Sequence, residues 1–214
     1  MRKDKVKKPF YKKWWFWIII VIVLIFVIGG MNGSKGDSNS SKSSDSSNST
    51  SKKSSNNKIT KSQYDAITLG ETDGATSESI KKEFGKATST STTTIEGVQA
   101  DQMTWNKLSN ADFTGTVLVG FSNGHAISKS ITGLKIDRKS KLTLDDFNKI
   151  QNGQSESDVT KELGKPNGYT ETSVAGSTTK MLEYTSGIKG SLGANFNITI
   201  TDGAVSGKSQ TSLE

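Results

Sequence analysis

Apolar residues in this 214-residue chain form one long unbroken run and, much later, a series of short periodic groups. The run from Trp14 to Ile28 contains no polar or charged side chain, and with Gly29, Gly30 and Met31 it reaches 18 residues. At about 1.5 Å per helical residue, it would extend about 27 Å, close to the thickness of the hydrocarbon core of a bilayer. We therefore predict a transmembrane helix over residues 14–31.

The residues that flank this helix predict its orientation. Residues 1–13 form a basic tail with seven Lys or Arg and one Asp, whereas the residues after Met31 are mostly uncharged and polar. The positive-inside rule then places the N-terminus in the cytoplasm and the C-terminal domain outside the cell. No A-x-A-like cleavage site follows the run, which favours an uncleaved signal-anchor over a signal peptide. We expect a single-pass protein of the cell membrane.

Residues 32–58 are rich in Ser, Asn and Lys and contain no large apolar side chain. Such a segment cannot bury enough surface to offset the entropy lost on ordering, so we predict a disordered linker.

Residues 59–136 and 137–214 carry one pattern of apolar and polar positions twice, which predicts a tandem repeat. Ile59–Gly70 aligns with Leu142–Gly153 at an offset of 83, and Ser79–Lys86 aligns with Asp158–Lys165 at an offset of 79. The second offset then holds to the end of the chain. It matches Trp105 with Tyr184.

The pattern in each repeat predicts two helices followed by three or four antiparallel strands, which gives an α+β fold. Thr60 and Thr143 are predicted to cap the first helices, which we expect Gly70 and Gly153 to end. The second helices are predicted to start near Ser77 and Ser155 and to end at Gly85 and Gly164. Two-residue turns are expected at Asn123-Gly124 and Asp202-Gly203. Helices on one face of the sheet would leave the other face open for a ligand.

The charge distribution argues against nucleic-acid binding. The chain has a net charge of +7, but the tail and linker carry more than this, which leaves −2 on residues 59–214. From that total we expect a domain without the basic face that binding to phosphates requires. The chain has no Cys and one His, so we also expect no metal and no cofactor.

Gly120–Gly124 matches G-x-S-x-G and is followed by His125, as in a serine hydrolase. A nucleophile elbow requires a helix after the turn, but residues 126–130 predict a strand, so we expect a hairpin and no catalytic residue. We expect His125 to be a solvent-exposed turn residue. Trp105 and Tyr184 recur in register with other apolar positions, which favours core packing over ligand stacking.

Two motifs recur in both repeats: [YF]-x-x-I-x-x-G, at Tyr64–Gly70 and Phe147–Gly153, and [FL]-G-K, at Phe84–Lys86 and Leu163–Lys165. In these motifs the chain resembles the β-lactamase-inhibitor-protein-like (BLIP-like) family, which includes uncharacterised tandem domains of Gram-positive surface proteins. A single repeat is also similar to SmpA/OmlA-type envelope lipoproteins. The resemblance implies two α+β units side by side, whose sheets form a concave surface that grips another protein.

Alternation with the apolar positions selects candidate residues for that open face. They are Thr104, Asn106 and Leu118 in the first repeat and Glu183, Asn197 and Thr199 in the second. We expect a membrane-anchored, extracytoplasmic protein-binding module. One alternative is a cell-wall-associated enzyme, which would need clustered carboxylates or a Ser/Lys pair. The other is a structural spacer, which would present a highly charged face.

Overall fold

The computed structural model describes residues 58–214. The predicted tail, the transmembrane helix and almost all of the linker therefore lie outside the described residues. Between Lys58 and Glu214, no helix is long and apolar enough to cross a membrane. Twelve elements follow one another along this part of the chain: α1 (Lys61–Asp65), α2 (Ser77–Phe84), β1 (Ser89–Ile95), β2 (Val98–Trp105), β3 (Ala111–Ser122), β4 (His125–Leu134), α3 (Leu144–Lys149), α4 (Glu156–Leu163), β5 (Gly168–Val174), β6 (Ser177–Tyr184), β7 (Gly190–Thr201) and β8 (Ala204–Leu213).

The order of two helices followed by four strands thus occurs once in residues 58–136, the first half, and once in residues 137–214, the second half. All eight strands pair antiparallel with their sequence neighbours in one sheet, β1 to β8. Strands β4 and β5 join the halves through pairs from Ser128↔Thr172 to Ile131↔Tyr169. The α+β fold with an antiparallel sheet is confirmed, and each half contributes four strands.

The predicted caps start the first helix of each half. The Thr60 hydroxyl accepts a hydrogen bond from the Gln63 amide at 3.2 Å, and Gln63 Oε1 accepts one from the Thr60 amide at 3.0 Å. Thr143 and Asp146 form the same reciprocal pair in α3. These capping boxes satisfy backbone amides that have no partner inside a helix.

The expectation that Gly70 and Gly153 end the first helices is wrong. Helix α1 ends at Asp65 with Ala66 as its C-cap, and α3 ends at Lys149 with Ile150 as its C-cap. Lys129 caps α1 and Lys208 caps α3 instead. Their ammonium groups donate hydrogen bonds to carbonyl oxygens at the C-terminal ends of these helices. Gly85 and Gly164 do end α2 and α4, with φ of 81° and 73°, as predicted.

All four helices pack on one face of the sheet over two apolar cores. In the first half, Trp105 packs edge-on against Phe84, with ring centroids 5.5 Å apart. In the second half, Tyr184 stacks on Phe196 at 4.5 Å. The Trp105 Nε1 and Tyr184 hydroxyl groups donate to the carbonyls of Gly85 and Gly164, both at 3.0 Å. The two aromatic residues are therefore core residues and not ligand-stacking surfaces.

The G-x-S-x-G match lies in a β-hairpin. Ser122 is the last residue of β3, Asn123 and Gly124 form the turn with φ of 49° and 82°, and β4 follows directly. A strand after the turn rules out a nucleophile elbow. The expectation of a solvent-exposed His125 is wrong: the ring is half-buried, and Nδ1 lies 2.9 Å from the Gly74 carbonyl oxygen.

The opposite, helix-free face of the sheet is open over most of its extent but covered at one end. There the β1–β2 turn folds over the sheet, and Ile95 and Ala100 bury apolar surface against Ile127 and Val174. Glu96 in this turn accepts a hydrogen bond from the Thr172 hydroxyl at 2.9 Å. This contact reaches from the first half to β5 in the second half.

Candidate protein-binding face

Five of the six predicted site residues lie on strands of the helix-free face. Thr104 alternates with Met103 and Trp105, which face the first core, and Leu118 alternates with Val117 and Val119. The same alternation places the second-half candidates Glu183, Asn197 and Thr199 opposite the second core. Asn106 comes one residue after β2 and is exposed at the edge of the face.

Strand register brings these residues into continuous rows across the sheet. Thr104 pairs with Leu118, and Glu183 pairs with Asn197. One row crosses all eight strands through Ser89, Thr104, Leu118, Ser130, Thr170, Met181, Thr199 and Gly207. With strands about 4.8 Å apart, the row measures roughly 34 Å. It consists of hydroxyl-bearing and apolar side chains and carries no charge.

The centre of the face contains a chain of hydrogen bonds that ends at Glu183. The Thr170 hydroxyl donates to Glu183 Oε1 at 3.1 Å, and the Ser130 hydroxyl lies 3.1 Å from the Thr170 hydroxyl. Burial raises the pKa of the Glu183 carboxyl above its ordinary value, and the hydrogen bond from Thr170 offsets part of that effect. A partly buried carboxylate with one protein donor can still accept hydrogen bonds from a ligand.

A second cluster, on the helix side where the halves meet, was missed by sequence reasoning. We call it the junction cluster: Lys129, Glu171, Lys180 and Glu156. Lys180 Nζ lies 3.0 Å from Glu156 Oε2 and 3.6 Å from Glu171 Oε2, while Lys129 Nζ lies 3.8 Å from Glu171 Oε1. These side chains help to line a cleft of about 360 Å³.

Lys129 acts in this cluster as a helix cap. Its side chain is 6% exposed, and Nζ donates to the carbonyls of Tyr64, Asp65 and Ile67 at 3.4, 3.4 and 3.0 Å. Burial lowers its pKa, against the opposing effect of Glu171. The Tyr64 hydroxyl donates to Glu171 Oε1 at 3.3 Å, and burial raises the pKa of Tyr64 well above its ordinary value.

The junction cluster can therefore be explained by structure alone, because its cations bond to helix carbonyls and to carboxylates. Lys208, 79 residues after Lys129, donates in the same way to Phe147 and Asn148 of α3 at 2.8 and 3.3 Å. The recurrence of Lys129-Ser130 as Lys208-Ser209 was the available sequence signal. Within residues 58–214, no group of His, Asp or Glu side chains is arranged to hold a metal ion.

The fold and its helix-free face define a class of protein: an α+β domain with the BLIP-like arrangement. The structure is similar to the 1.40 Å crystal structure of a "putative beta-lactamase inhibitor protein" from Streptococcus mutans, with a TM-score of 0.55 and 19% sequence identity. The similarity covers 71% of this chain and 94% of that one.

The sequence assigns the family. Residues 53–213 match the family described as "Domain of Unknown Function with solved-structure structure (DUF3862)", and the chain belongs to that family. A comparison with curated proteins gives no match.

Proposed function

We propose that this protein is a membrane-anchored, extracytoplasmic module that binds another protein through the helix-free face of its sheet. The observation that carries the proposal is the uncharged row that crosses all eight strands on that face. The exposed hydroxyl groups of this face and the Asn197 amide can pair with a partner's backbone, while the half-buried Leu118 supplies apolar contact.

The similarity of the fold to a known structure supports this assignment. The similar Streptococcus mutans structure is described as a "putative beta-lactamase inhibitor protein", and inhibition by a protein is a binding activity. At 19% identity the likeness concerns the fold, so the partner of this chain is a separate question. Whether that partner is a β-lactamase is one outcome of the experiment below.

We also propose that the two halves are copies of one unit and that residues 14–31 anchor the chain. The duplication is supported by the repeated element order and by equivalent hydrogen bonds from Trp105 and Tyr184 and from Lys129 and Lys208. Anchoring is supported by the length of the apolar run and by the basic residues before it. In this arrangement the domain lies outside the cell and is attached to the membrane through the linker, residues 32–58.

The experiment is site-specific photo-crosslinking in cells, with a photoreactive residue in place of Thr104 or Asn197. We expect the same partner to be captured from both positions if the helix-free face is the binding surface, because both residues alternate with core positions on their strands. As a control, the photoreactive residue replaces Ser62 or Asn148, which are exposed on α1 and α3 on the helix side. Capture from the helix side alone would overturn the assignment of the face.

A pair of matched variants tests whether the face contributes to affinity. Leu118→Glu with Asn197→Glu introduces two carboxylates on the face, and Ser62→Glu with Asn148→Glu introduces two on the helices. We expect the first variant to weaken partner capture at least tenfold and the second to leave it unchanged. Equal capture by both variants would favour a structural spacer.

An enzymatic role is disfavoured by the surroundings of Glu183. Its neighbours on the adjacent strands are Gly168 and Asn197, and its carboxylate is bonded to Thr170. Hydrolysis of a glycosidic bond generally requires two carboxyl groups on opposite sides of the bond, and these neighbours supply no second one.

A further inference from the structure

Two large apolar side chains of residues 58–214 are fully exposed: Phe113 and Leu192, at 100% and 106% of the reference surface. One exposed apolar side chain is ordinary on a protein surface. These two are 79 residues apart and so occupy equivalent positions in the two halves. Each lies in a four-residue lobe, 112–115 or 191–194, where β3 or β7 leaves its ladder with the next strand.

The lobes are held in place by specific contacts. Asp112 Oδ1 accepts hydrogen bonds from the Thr114 amide and hydroxyl at 2.9 and 2.7 Å, which fixes the turn around Phe113. A Cβ at Gly133, where φ is 74°, would lie 2.7 Å from the Gly115 Cα, so this lobe packs closely against β4. In the other lobe, the Gly193 carbonyl accepts a hydrogen bond from Asn195 Nδ2 at 2.8 Å. The apolar side chains are therefore presented by ordered turns.

Both lobes lie at the same end of the sheet, because β3 and β7 run in the same direction and start there. We call this the basic end: residues 58–60, 106–115, 134–142, 185–195 and 213–214. Backbone hydrogen bonds tie these segments together, from Ile59 to Lys107 at 2.7 Å, from Lys135 to Asn110 at 2.9 Å and from Lys189 to Leu142 at 2.8 Å.

Positive charge is concentrated at this end of the sheet. The basic end carries seven Lys or Arg and three acidic residues, whereas the other described residues carry ten Lys or Arg and fifteen acidic residues. Six exposed lysines belong to it: Lys58, Lys107, Lys135, Lys139, Lys141 and Lys189. The expectation of a domain without a basic face is therefore wrong, because the net charge of the domain conceals this segregation.

We propose that the basic end binds to an anionic lipid bilayer. Phe113 and Leu192 insert below the headgroups, and the lysines contact the headgroups. Interfacial binding of this kind combines buried apolar area with attraction between Lys or Arg and anionic lipid. The two tips are separated by four strand spacings, roughly 19 Å, so both can reach one membrane surface. Insertion would orient the domain relative to the membrane.

The path of the chain supports a lipid as the occupant. The domain is entered at Lys58, and Ile59 pairs with Leu108 beside the first lobe, so the linker joins the domain at the basic end. The linker follows the segment predicted to cross the membrane, so we expect a bilayer within reach of this end of the domain. Leu192 offers neither hydrogen bonds nor an aromatic surface, which disfavours a nucleic acid as the occupant.

The absence of Cys makes a fluorescence test direct. Ser191→Cys, beside Leu192, is labelled with an environment-sensitive nitrobenzoxadiazole dye in the full chain reconstituted into vesicles. We expect a blue-shifted emission, quenched by lipids with spin-labelled acyl chains, in vesicles of phosphatidylcholine with 30% phosphatidylglycerol. The control label is Thr94→Cys, an exposed strand position away from the basic end, where we expect the emission of a water-exposed dye.

Two sets of variants separate the apolar and charged contributions. We expect Phe113→Ser with Leu192→Ser to lower the insertion equilibrium constant by about a hundredfold, since each lost apolar side chain accounts for about tenfold. Lys135→Glu, Lys139→Glu and Lys189→Glu should abolish the dependence on phosphatidylglycerol. Lys81→Glu, Lys82→Glu and Lys161→Glu change the total charge equally, on α2 and α4 outside the segments of the basic end, and should have a much smaller effect. Hydrogen exchange of the core strands checks folding in each variant.

A dye at Ser191 that is as water-exposed as one at Thr94 in anionic vesicles would overturn the proposal. So would equal effects of the two triple charge reversals. Binding to duplex DNA that depends on Lys135, Lys139 and Lys189, without a dye response in vesicles, would assign the basic end to nucleic acid instead. The outcome is independent of which protein occupies the helix-free face.

Discussion

Lys129 and Lys208 make the same contact in the two halves but differ in their surroundings. Each ammonium group donates to the terminal carbonyls of a short helix and lies over an aromatic ring, Tyr64 at 4.9 Å or Phe147 at 4.5 Å. Lys129 is in β4, at the centre of the sheet, where β5 covers it, whereas Lys208 is in β8 at the sheet edge and is half-exposed.

The difference shows how joining the sheets changes the energetics of an equivalent residue. At the edge, Lys208 can exchange its carbonyl partners for water. At the junction, Lys129 has little access to water, and it pairs with Glu171, a residue of the other half. One contact is therefore local to its half, and the other couples the two halves.

The largest expected effect concerns the two cores, where the halves should behave alike. We predict that Trp105→Ala and Tyr184→Ala each lower the free energy of unfolding by about 3–5 kcal/mol, because each leaves a large cavity. The β4–β5 ladder should transmit each loss to the other half, so native-state hydrogen exchange should speed up in all eight strands. Phe113→Ala, at an exposed position, is the control. Unchanged protection of β1–β4 in Tyr184→Ala would mean that the halves unfold independently.

Substitution of the equivalent lysines, Lys129 and Lys208, should destabilise the protein to different extents in the two halves. We predict that Lys129→Met costs about 2–3 kcal/mol, because it leaves buried carbonyls without their donor and leaves Glu171 with Lys180 as its remaining cation. Lys208→Met should cost about 1 kcal/mol, because water can replace the ammonium group at the sheet edge. Chemical denaturation of the full chain in detergent measures both. Equal losses would show that the junction adds nothing to the role of Lys129.

The hairpin turns offer a symmetric test. Gly124 and Gly203 have φ of 82° and 86° and follow residues with φ of 49°. Ala at either position would be held in a left-handed conformation, so we predict a loss of about 1–2 kcal/mol for Gly124→Ala and the same for Gly203→Ala. Asn123→Gly, which keeps the turn accessible, should change stability by a few tenths of a kcal/mol. A difference between the two Ala variants larger than about 1 kcal/mol would contradict the equivalence of the turns.

The local features of the fold were accessible from the sequence because short-range chemistry determines them. Caps at Thr60 and Thr143, glycine ends at Gly85 and Gly164 and the Asn123-Gly124 turn each depend on a few adjacent residues. The helix ends near Gly70 and Gly153 were predicted incorrectly because their caps come from a lysine more than 60 residues away in sequence.

The candidate face was accessible only in part. Alternation placed Thr104, Leu118 and Asn197 on the face away from the helices, since side chains alternate along a strand. Alternation gives no information on which strands meet across the halves, so the row through Ser130 and Thr170 required the observed register. The basic end was not predicted, because the net charge is a sum over the whole domain and does not show where in the fold the charged residues lie.

Glu183 gives the smallest predicted effect and the sharpest contrast between the halves on the helix-free face, because the equivalent first-half residue is Thr104. Burial raises the pKa of this carboxyl, so ionisation opposes folding. The contribution of the protonated form to stability is complete below the unfolded pKa of about 4.3 and is lost as pH rises through the higher folded value.

We therefore predict that Glu183→Gln raises the free energy of unfolding by about 1 kcal/mol at pH 7, with little change at pH 4, where the wild-type carboxyl is largely protonated. Glu83→Gln, on the exposed surface of α2, is the control variant. Denaturation at a series of pH values between 4 and 7 measures the difference. A destabilised Glu183→Gln at pH 7 would mean that the carboxylate receives more hydrogen bonds in the folded protein than the one from Thr170, and that the helix-free face is already organised around a negative charge.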